Sequence, residues 1–150
     1  MKNHKLNLTL IIPLYNEQES ISNVIPEILE FCKDKYNIVI VNDGSTDNSK
    51  KLLLECTKDS LDYTNEVTII DHELNYGYGA AIKTGIKSAH TDYVVTIDAD
   101  GQHFIDDVSR MHNHISANKI DLLIGSRVFE NESFDRRFGK WMIRNFSNMI

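Results

Sequence analysis

Five short apolar runs recur along the chain: Leu8 to Pro13, Ile38 to Val41, Val67 to Ile70, Tyr93 to Ile97 and Leu122 to Ile124. They are rich in Ile and Val and do not alternate with polar residues, the pattern of strands buried on both faces. Between them apolar residues keep helical spacing: Ile25, Ile28, Leu29 and Cys32, then Leu52, Leu53 and Cys56, then Ala81, Ile82, Ile86 and Ala89, then Val108, Met111, His112 and Ile115. Strand alternating with helix, with no hairpin signal, predicts an α/β fold of βαβ units, a mainly parallel sheet with helices on both faces. Pro26 interrupts the first stripe, where it would remove a helical hydrogen bond. The reading that avoids this starts the helix near Pro26, with Ser22 or Asn23 as cap. Ser45, Thr46 or Asp47 can cap the second helix.

Composition then narrows the class. The 150 residues suffice for one domain with a core, and 41% apolar with 25% charged residues excludes disorder of the whole chain. Lys and Arg number 16 against 22 Asp and Glu, a net charge of −6, which argues against a general nucleic-acid binder. Cys32 and Cys56 have no Cys or His at zinc-ligand spacing, so both are expected as reduced, packed thiols. No run approaches the roughly 18 apolar residues of a spanning helix, and residues 1–7 do not read as a signal peptide. The expected setting is the cytoplasm.

In parallel sheets ligands bind beyond the carboxyl ends of the strands. The polar clusters fall there: Pro13-Leu14-Tyr15-Asn16-Glu17 after the first run, Asn42-Asp43-Gly44-Ser45-Thr46-Asp47 after the second, Asp98-Ala99-Asp100-Gly101-Gln102-His103 after the fourth and Gly125-Ser126-Arg127 after the fifth. Asp98 and Asp100 leave a strand end one residue apart, so in extended chain both carboxylates project the same way. Two like charges held together call for a cation, and hard oxygen donors select Mg²⁺ or Mn²⁺. A calcium loop counted from Asp98 fails, because His103 and Ser109 stand where Gly and Glu are needed. The plainer alternative is that the aspartates cap a helix beginning near Ile105. Gly77-Tyr78-Gly79 lacks the third glycine of a dinucleotide fingerprint, Ile82 standing in its place, and reads equally as a turn with a helix N-terminus or as a direct ligand contact. Neither a P-loop nor a nucleophile elbow is present.

Together with Asn75-Tyr76-Gly77-Tyr78-Gly79-Ala80-Ala81, these motifs in this order and spacing resemble family 2 glycosyltransferases of the GT-A fold, and among them the enzymes that load a sugar onto a polyprenyl phosphate. The resemblance implies a metal-dependent, inverting transfer from a UDP- or GDP-linked sugar. Pro13, Tyr15 and Glu17 would line the nucleobase and ribose pocket, and Asp43 would hydrogen-bond the base or ribose. Asp98 would face the ribose and the metal, Asp100 and Gln102 would hold Mg²⁺ or Mn²⁺, and Arg127 would neutralise phosphate charge. Asp98, Asp100 and Arg127 are thus the implied catalytic set. The bland counterparts are core packing for Tyr15, a helix-start charge for Glu17, a turn for Asp43 and a surface cation for Arg127. A phosphate acceptor needs no strong base, whereas the alternative, a saccharide hydroxyl in surface polysaccharide synthesis, needs a carboxylate that the resemblance places beyond Ile150. A non-catalytic module that binds sugar nucleotides is the rival from another class. A nucleotidyltransferase is disfavoured, because Tyr15-Asn16-Glu17 is acidic where a basic glycine loop would stand.

The end of the chain changes character. Phe138, Trp141, Met142, Phe146, Met149 and Ile150 keep helical spacing, beside Arg136, Arg137, Lys140 and Arg144. A basic amphipathic helix of this kind suits an anionic membrane surface, and packing on the domain or on further chain is the equal alternative. The expected organisation is a nucleotide-sugar-binding domain over 1–135. Residues 136–150 would begin a truncated acceptor-binding or membrane-proximal region, placing the enzyme at the inner face of the cell membrane.

Overall fold

A computed structural model describes residues 8–58, 60, 63–101, 105–118 and 120–125. The element order is β1 (Leu8–Leu14), α1 (Ile21–Cys32), β2 (Asn37–Asn42), α2 (Ser49–Cys56), β3 (Val67–Asp71), α3 (Tyr78–Ser88), β4 (Tyr93–Thr96) and α4 (Asp106–Asn118). All strand pairings are parallel, and the sheet order is β3-β2-β1-β4. The chain thus builds outward from β1 to β3, then returns through α3 to add β4 on the other side of β1. Reversing direction with right-handed crossovers requires α3 on the opposite face from α1 and α2, and the packing agrees. Leu8, Leu10, Ile12, Leu14, Ile38 and Ile40 join the α1 residues Ile21, Ile25 and Ile28 and the α2 residue Leu53 in one core. The alternate residues Val39 and Val41 meet Ala81 of α3 on the other face. There a Cβ on Gly85 would lie 2.4 Å from Cγ2 of Ile11, so glycine lets α3 sit directly on β1.

Two local expectations are corrected, and a third, the start of α2, holds for Asp47 alone. α1 begins at Ile21 with Ser20, not Ser22 or Asn23, at its N-cap, and it carries Pro26 within it. Both Pro26 and Ser22 lie on its exposed face, where water can take the carbonyl that the missing N–H leaves. The N-cap of α2 is Asn48, and Asp47 acts from one residue earlier, its Oδ1 accepting from the Ser49 N–H at 2.9 Å. Leu122 to Ile124 is not a strand; Leu122 and Ile124 are 73% and 78% exposed, and among the described residues the sheet has four strands.

Burial on both faces holds for β1 and β2 but not for the outer strands. β3, at a sheet edge among the described residues, is half-buried, and β4 alternates because Tyr93 and Val95 pack on the main core while α3 covers β1 and β2 rather than the other face of β4. The third helical stripe also narrows: Ala81 and Gly85 are buried, while Ile86 is exposed. Both cysteines are free thiols, and burial pushes that of Cys32 up to about 12, the chemistry of a packed rather than a reactive sulfur. The 136–150 segment lies outside the described residues, as do Gln102, His103, Ser126 and Arg127.

Candidate functional site

The switch in direction falls between β1 and β4, and in an open parallel sheet the crevice beyond the strand ends forms at such a point. A cavity of about 350 Å³ opens there, lined by Pro13, Leu14, Tyr15 and Glu17 after β1, Asp43 after β2, Asn75 and Tyr78 before and at the start of α3, and Asp98, Ala99 and Asp100 after β4. The structure therefore brings together Pro13, Tyr15, Glu17, Asp43, Asp98 and Asp100. Tyr15 is 44% exposed and is not part of the core. Gly125 lies against Met111 of α4 and lines a different cavity, with β4.

The rim of the cavity is a clasp between two loops. The Asn16 and Glu17 N–H groups donate to Ser45 Oγ (3.0 Å) and Ser49 Oγ (2.8 Å). In return the Thr46 N–H donates to Asn16 Oδ1 at 2.8 Å and the Asn48 N–H to Gln18 Oε1 at 3.2 Å. Asn16 reaches across from a left-handed backbone, φ 54°, which Asn tolerates better than most residues. Ser45 and Thr46 thus serve the neighbouring loop rather than the helix they precede. Glu17 faces the cavity, and its backbone carbonyl accepts the Ser20 and Ile21 N–H groups as α1 starts, whereas the first turn of α1 itself carries no acidic side chain.

Asp43 is 2% exposed, and its carboxylate organises the loop after β3. Oδ1 accepts from His72 Nδ1 at 2.6 Å and from the Tyr76 N–H at 3.0 Å, and Oδ2 accepts from the Gly77 N–H at 2.7 Å. Burial pushes the Asp43 carboxyl up, but the hydrogen bonds from His72, Tyr76 and Gly77 outweigh it and hold the group below the usual carboxylate range. His72 is in turn held at Nε2 by Thr84 Oγ1 at 2.9 Å. Gly44 makes this approach possible: its φ is +66°, and a Cβ there would lie 2.4 Å from the Leu74 carbonyl carbon. Beside it, Asn42 Nδ2 donates to Asp71 Oδ1 at 2.7 Å, and Lys50 Nζ lies 3.0 Å from Asp71 Oδ2.

Across the cavity the Tyr78 hydroxyl donates to Asp98 Oδ1 at 2.9 Å. Partial burial, this bond and the charges of Asp98 and Asp100 all push the Tyr78 hydroxyl above the usual phenol range, so it stays a donor. Among the described residues no three His, Cys, Asp or Glu side chains form a metal cage by themselves. Two carboxylates on one cavity wall instead fit a cation such as Mg²⁺, which takes one or two carboxylates and completes its shell with water and substrate phosphates.

The residues that sequence reading missed are His72 and Thr84, together with the contacts made by Ser45, Ser49 and Tyr78. His72 carried a weak signal, a polar side chain two residues past the third apolar run, after Asp71; Thr84, inside a helix, carried none.

A sequence model of the family described as "Glycosyl transferase family 2" matches residues 9–149. The chain is 38% identical over 136 residues to a UDP-N-acetylglucosamine--dolichyl-phosphate N-acetylglucosaminyltransferase of Methanococcus voltae, covering 83% of this chain and 53% of that one. It is 36% identical over 111 residues to an undecaprenyl-phosphate 4-deoxy-4-formamido-L-arabinose transferase of Proteus mirabilis, covering 71% and 33%. It therefore spans between about a third and about half the length of these curated relatives. Among solved structures it resembles the mannosyltransferase PcManGT from Pyrobaculum calidifontis in complex with GDP-Man and Mn²⁺, with TM-score 0.58, 27% identity and 65% and 28% of the two chains covered. It shares the fold of S. aureus TarS 1-349 in complex with UDP, with TM-score 0.66, 20% identity and 85% and 38% covered.

Proposed function

The chain belongs to glycosyl transferase family 2 and has its GT-A fold, and from that premise we propose that it serves a metal-dependent, inverting transfer of a sugar from a UDP- or GDP-linked donor to a polyprenyl phosphate. The observation that carries this reading is the convergence on one cavity, at the switch between β1 and β4, of Asp43 on one wall and Asp98 and Asp100 on another.

Pro13, Tyr15 and Glu17 wall the nucleoside, and Asp43 accepts from its base or ribose. Asp98, Asp100 and, by its place in the sequence, Gln102 hold Mg²⁺ or Mn²⁺. When bound, that cation supplies charge to offset the negative charge that develops on the leaving diphosphate. Arg127 adds positive charge for donor or acceptor phosphate. The acceptor attacks the anomeric carbon from the face opposite the leaving group, and an anionic phosphate oxygen does so without a strong base. The acceptor follows the printed activities of the two relatives, one a dolichyl-phosphate and one an undecaprenyl-phosphate transferase. Residues 1–135 act as the nucleotide-sugar domain, and the basic segment 136–150 begins the acceptor-binding, membrane-proximal part. No helix among the described residues is long and apolar enough to cross a membrane.

A panel of UDP and GDP sugars, assayed for thermal stabilisation with and without Mn²⁺, tests the site. A donor at 100 times its dissociation constant is expected to add about 2.7 kcal/mol. Absence of binding by every donor in calorimetry with Mn²⁺, or unchanged binding in Asp100→Ala, overturns the reading. Transfer of label from the donor that binds to undecaprenyl phosphate tests the acceptor.

A further inference from the structure

A carboxylate offers about four acceptor sites, two on each oxygen. At Asp43, Oδ1 uses two, for His72 Nδ1 and the Tyr76 N–H, and Oδ2 uses one, for the Gly77 N–H. One site on Oδ2 is what remains for anything in the cavity that Asp43 lines. Two of the three donors are backbone groups of the loop after β3, and the third is a side chain whose orientation is fixed at both ends. The His72 ring is bound to Asp43 through Nδ1 and to Thr84 Oγ1 through Nε2, packs edge-on against Tyr76 with centroids 5.3 Å apart, and is 12% exposed. Because an ionised carboxylate only accepts, His72 carries its proton on Nδ1. The ring cannot turn away without giving up both bonds.

Base edges differ in what they ask of such an acceptor. Uracil presents one N–H between two carbonyls. Guanine presents two adjacent donors, N1–H and the N2 amino group, and satisfying both on one carboxylate takes a site on each oxygen. We propose that His72 is a positioning residue that occupies Oδ1 of Asp43, so that the pocket accepts a base edge with one donor, uracil, and rejects one with two, guanine. This deepens, and rests on, the nucleotide pocket proposed above, and it decides between the UDP- and GDP-linked donors left open there. A guanine seated here leaves one N–H against the wall without a partner, a mismatch that weakens binding by about tenfold or more.

Calorimetric titration of the protein with UDP and with GDP, each with Mg²⁺, tests this. UDP is expected to bind at least about tenfold more tightly than GDP. In His72→Phe, which removes the donor, that ratio collapses towards one. His72→Asn keeps a donor at the place of Nδ1 and keeps most of the ratio. A purely structural role for His72 would weaken both nucleotides together and leave the ratio intact. Equal affinities in the unaltered protein, an unchanged ratio in folded His72→Phe, or a ratio lost equally in His72→Asn overturns the inference. If His72→Phe does not fold, Thr84→Val frees the ring at Nε2 and carries the same test: a reduced ratio supports the inference and an unchanged one overturns it. Binding of neither nucleotide overturns the proposed function, and this inference with it.

Discussion

Asp43 and the pair Asp98 and Asp100 line one cavity from the ends of strands on either side of β1, yet their surroundings differ in kind. Asp43 is buried, and its charge is answered by two backbone N–H groups and a histidine pinned at both nitrogens. Asp98 and Asp100 are half-buried, and the hydroxyl that bonds Asp98 belongs to Tyr78, which is itself 57% exposed. A carboxylate matched by rigid internal donors holds structure together and presents a fixed edge. A bond to an exposed side chain at the mouth, such as that of Tyr78 to Asp98, opens at little cost to the protein.

The comparison breaks most readily through stability. Asp43→Ala leaves His72 and two backbone N–H groups without their acceptor and should cost about 3–5 kcal/mol, read by urea denaturation. Asp98→Ala and Asp100→Ala, at half-buried positions, should each cost about 1 kcal/mol or less in the same experiment. Equal losses at all three positions would erase the distinction. The same carboxylate sets an acid limit. The folded pKa of Asp43 lies below its unfolded value of about 3.9, so its contribution is fully present above that pH and is lost as pH falls through the folded value. Asp43→Asn should therefore flatten the fall in melting temperature below about pH 4, while leaving the slope above about pH 5 unchanged.

Activity reverses the ranking. If the proposed function holds, Asp100→Ala, with its fold intact, should lose about 100-fold in the proposed metal-dependent transfer, about 2.7 kcal/mol of barrier, and excess Mn²⁺ should not restore it. Ser49→Ala tests the clasp that sets the rim: it removes the acceptor of the Glu17 N–H at a fully buried position and should cost about 1–2 kcal/mol. Tyr78→Phe should have the smallest effect on stability, within about 0.5 kcal/mol, because the bond it deletes lies at the exposed mouth. A loss there as large as that of Ser49→Ala would mean that Asp98 is held as firmly as the clasp.

Much of the fold was legible because its signals are local. The four strands lie within a residue or so of the apolar runs that announce them, and the helices follow the 3.6-residue stripes. Where reading failed, a local rule met a tertiary one. Leu122 to Ile124 has strand composition, but a strand needs a ladder partner, and here two of its three residues face outward. Pro26 breaks a helix only where its lost bond must be made inside the protein, and here it faces solvent. Ser45 and Thr46 have the chemistry of caps, but the nearby Asn16 and Glu17 loop offers them partners that a cap rule cannot see. Asp43, Asp98 and Asp100 were visible as polar residues at strand ends. His72 was visible only faintly and Thr84 not at all, because the pairs His72–Asp43 and Thr84–His72 are 29 and 12 residues apart in sequence.

By itself the sequence determined the βαβ alternation, the parallel sheet, the strand ends at which acidic chemistry gathers and the family resemblance, since each rests on residue type and short-range spacing. Tertiary structure alone decided that β4 returns beside β1, which makes one cavity of three strand ends. It also decided which carboxylate is locked in the wall and which two face the opening. Those outcomes depend on burial and on donors brought from distant parts of the chain, and a side chain's own identity does not specify either.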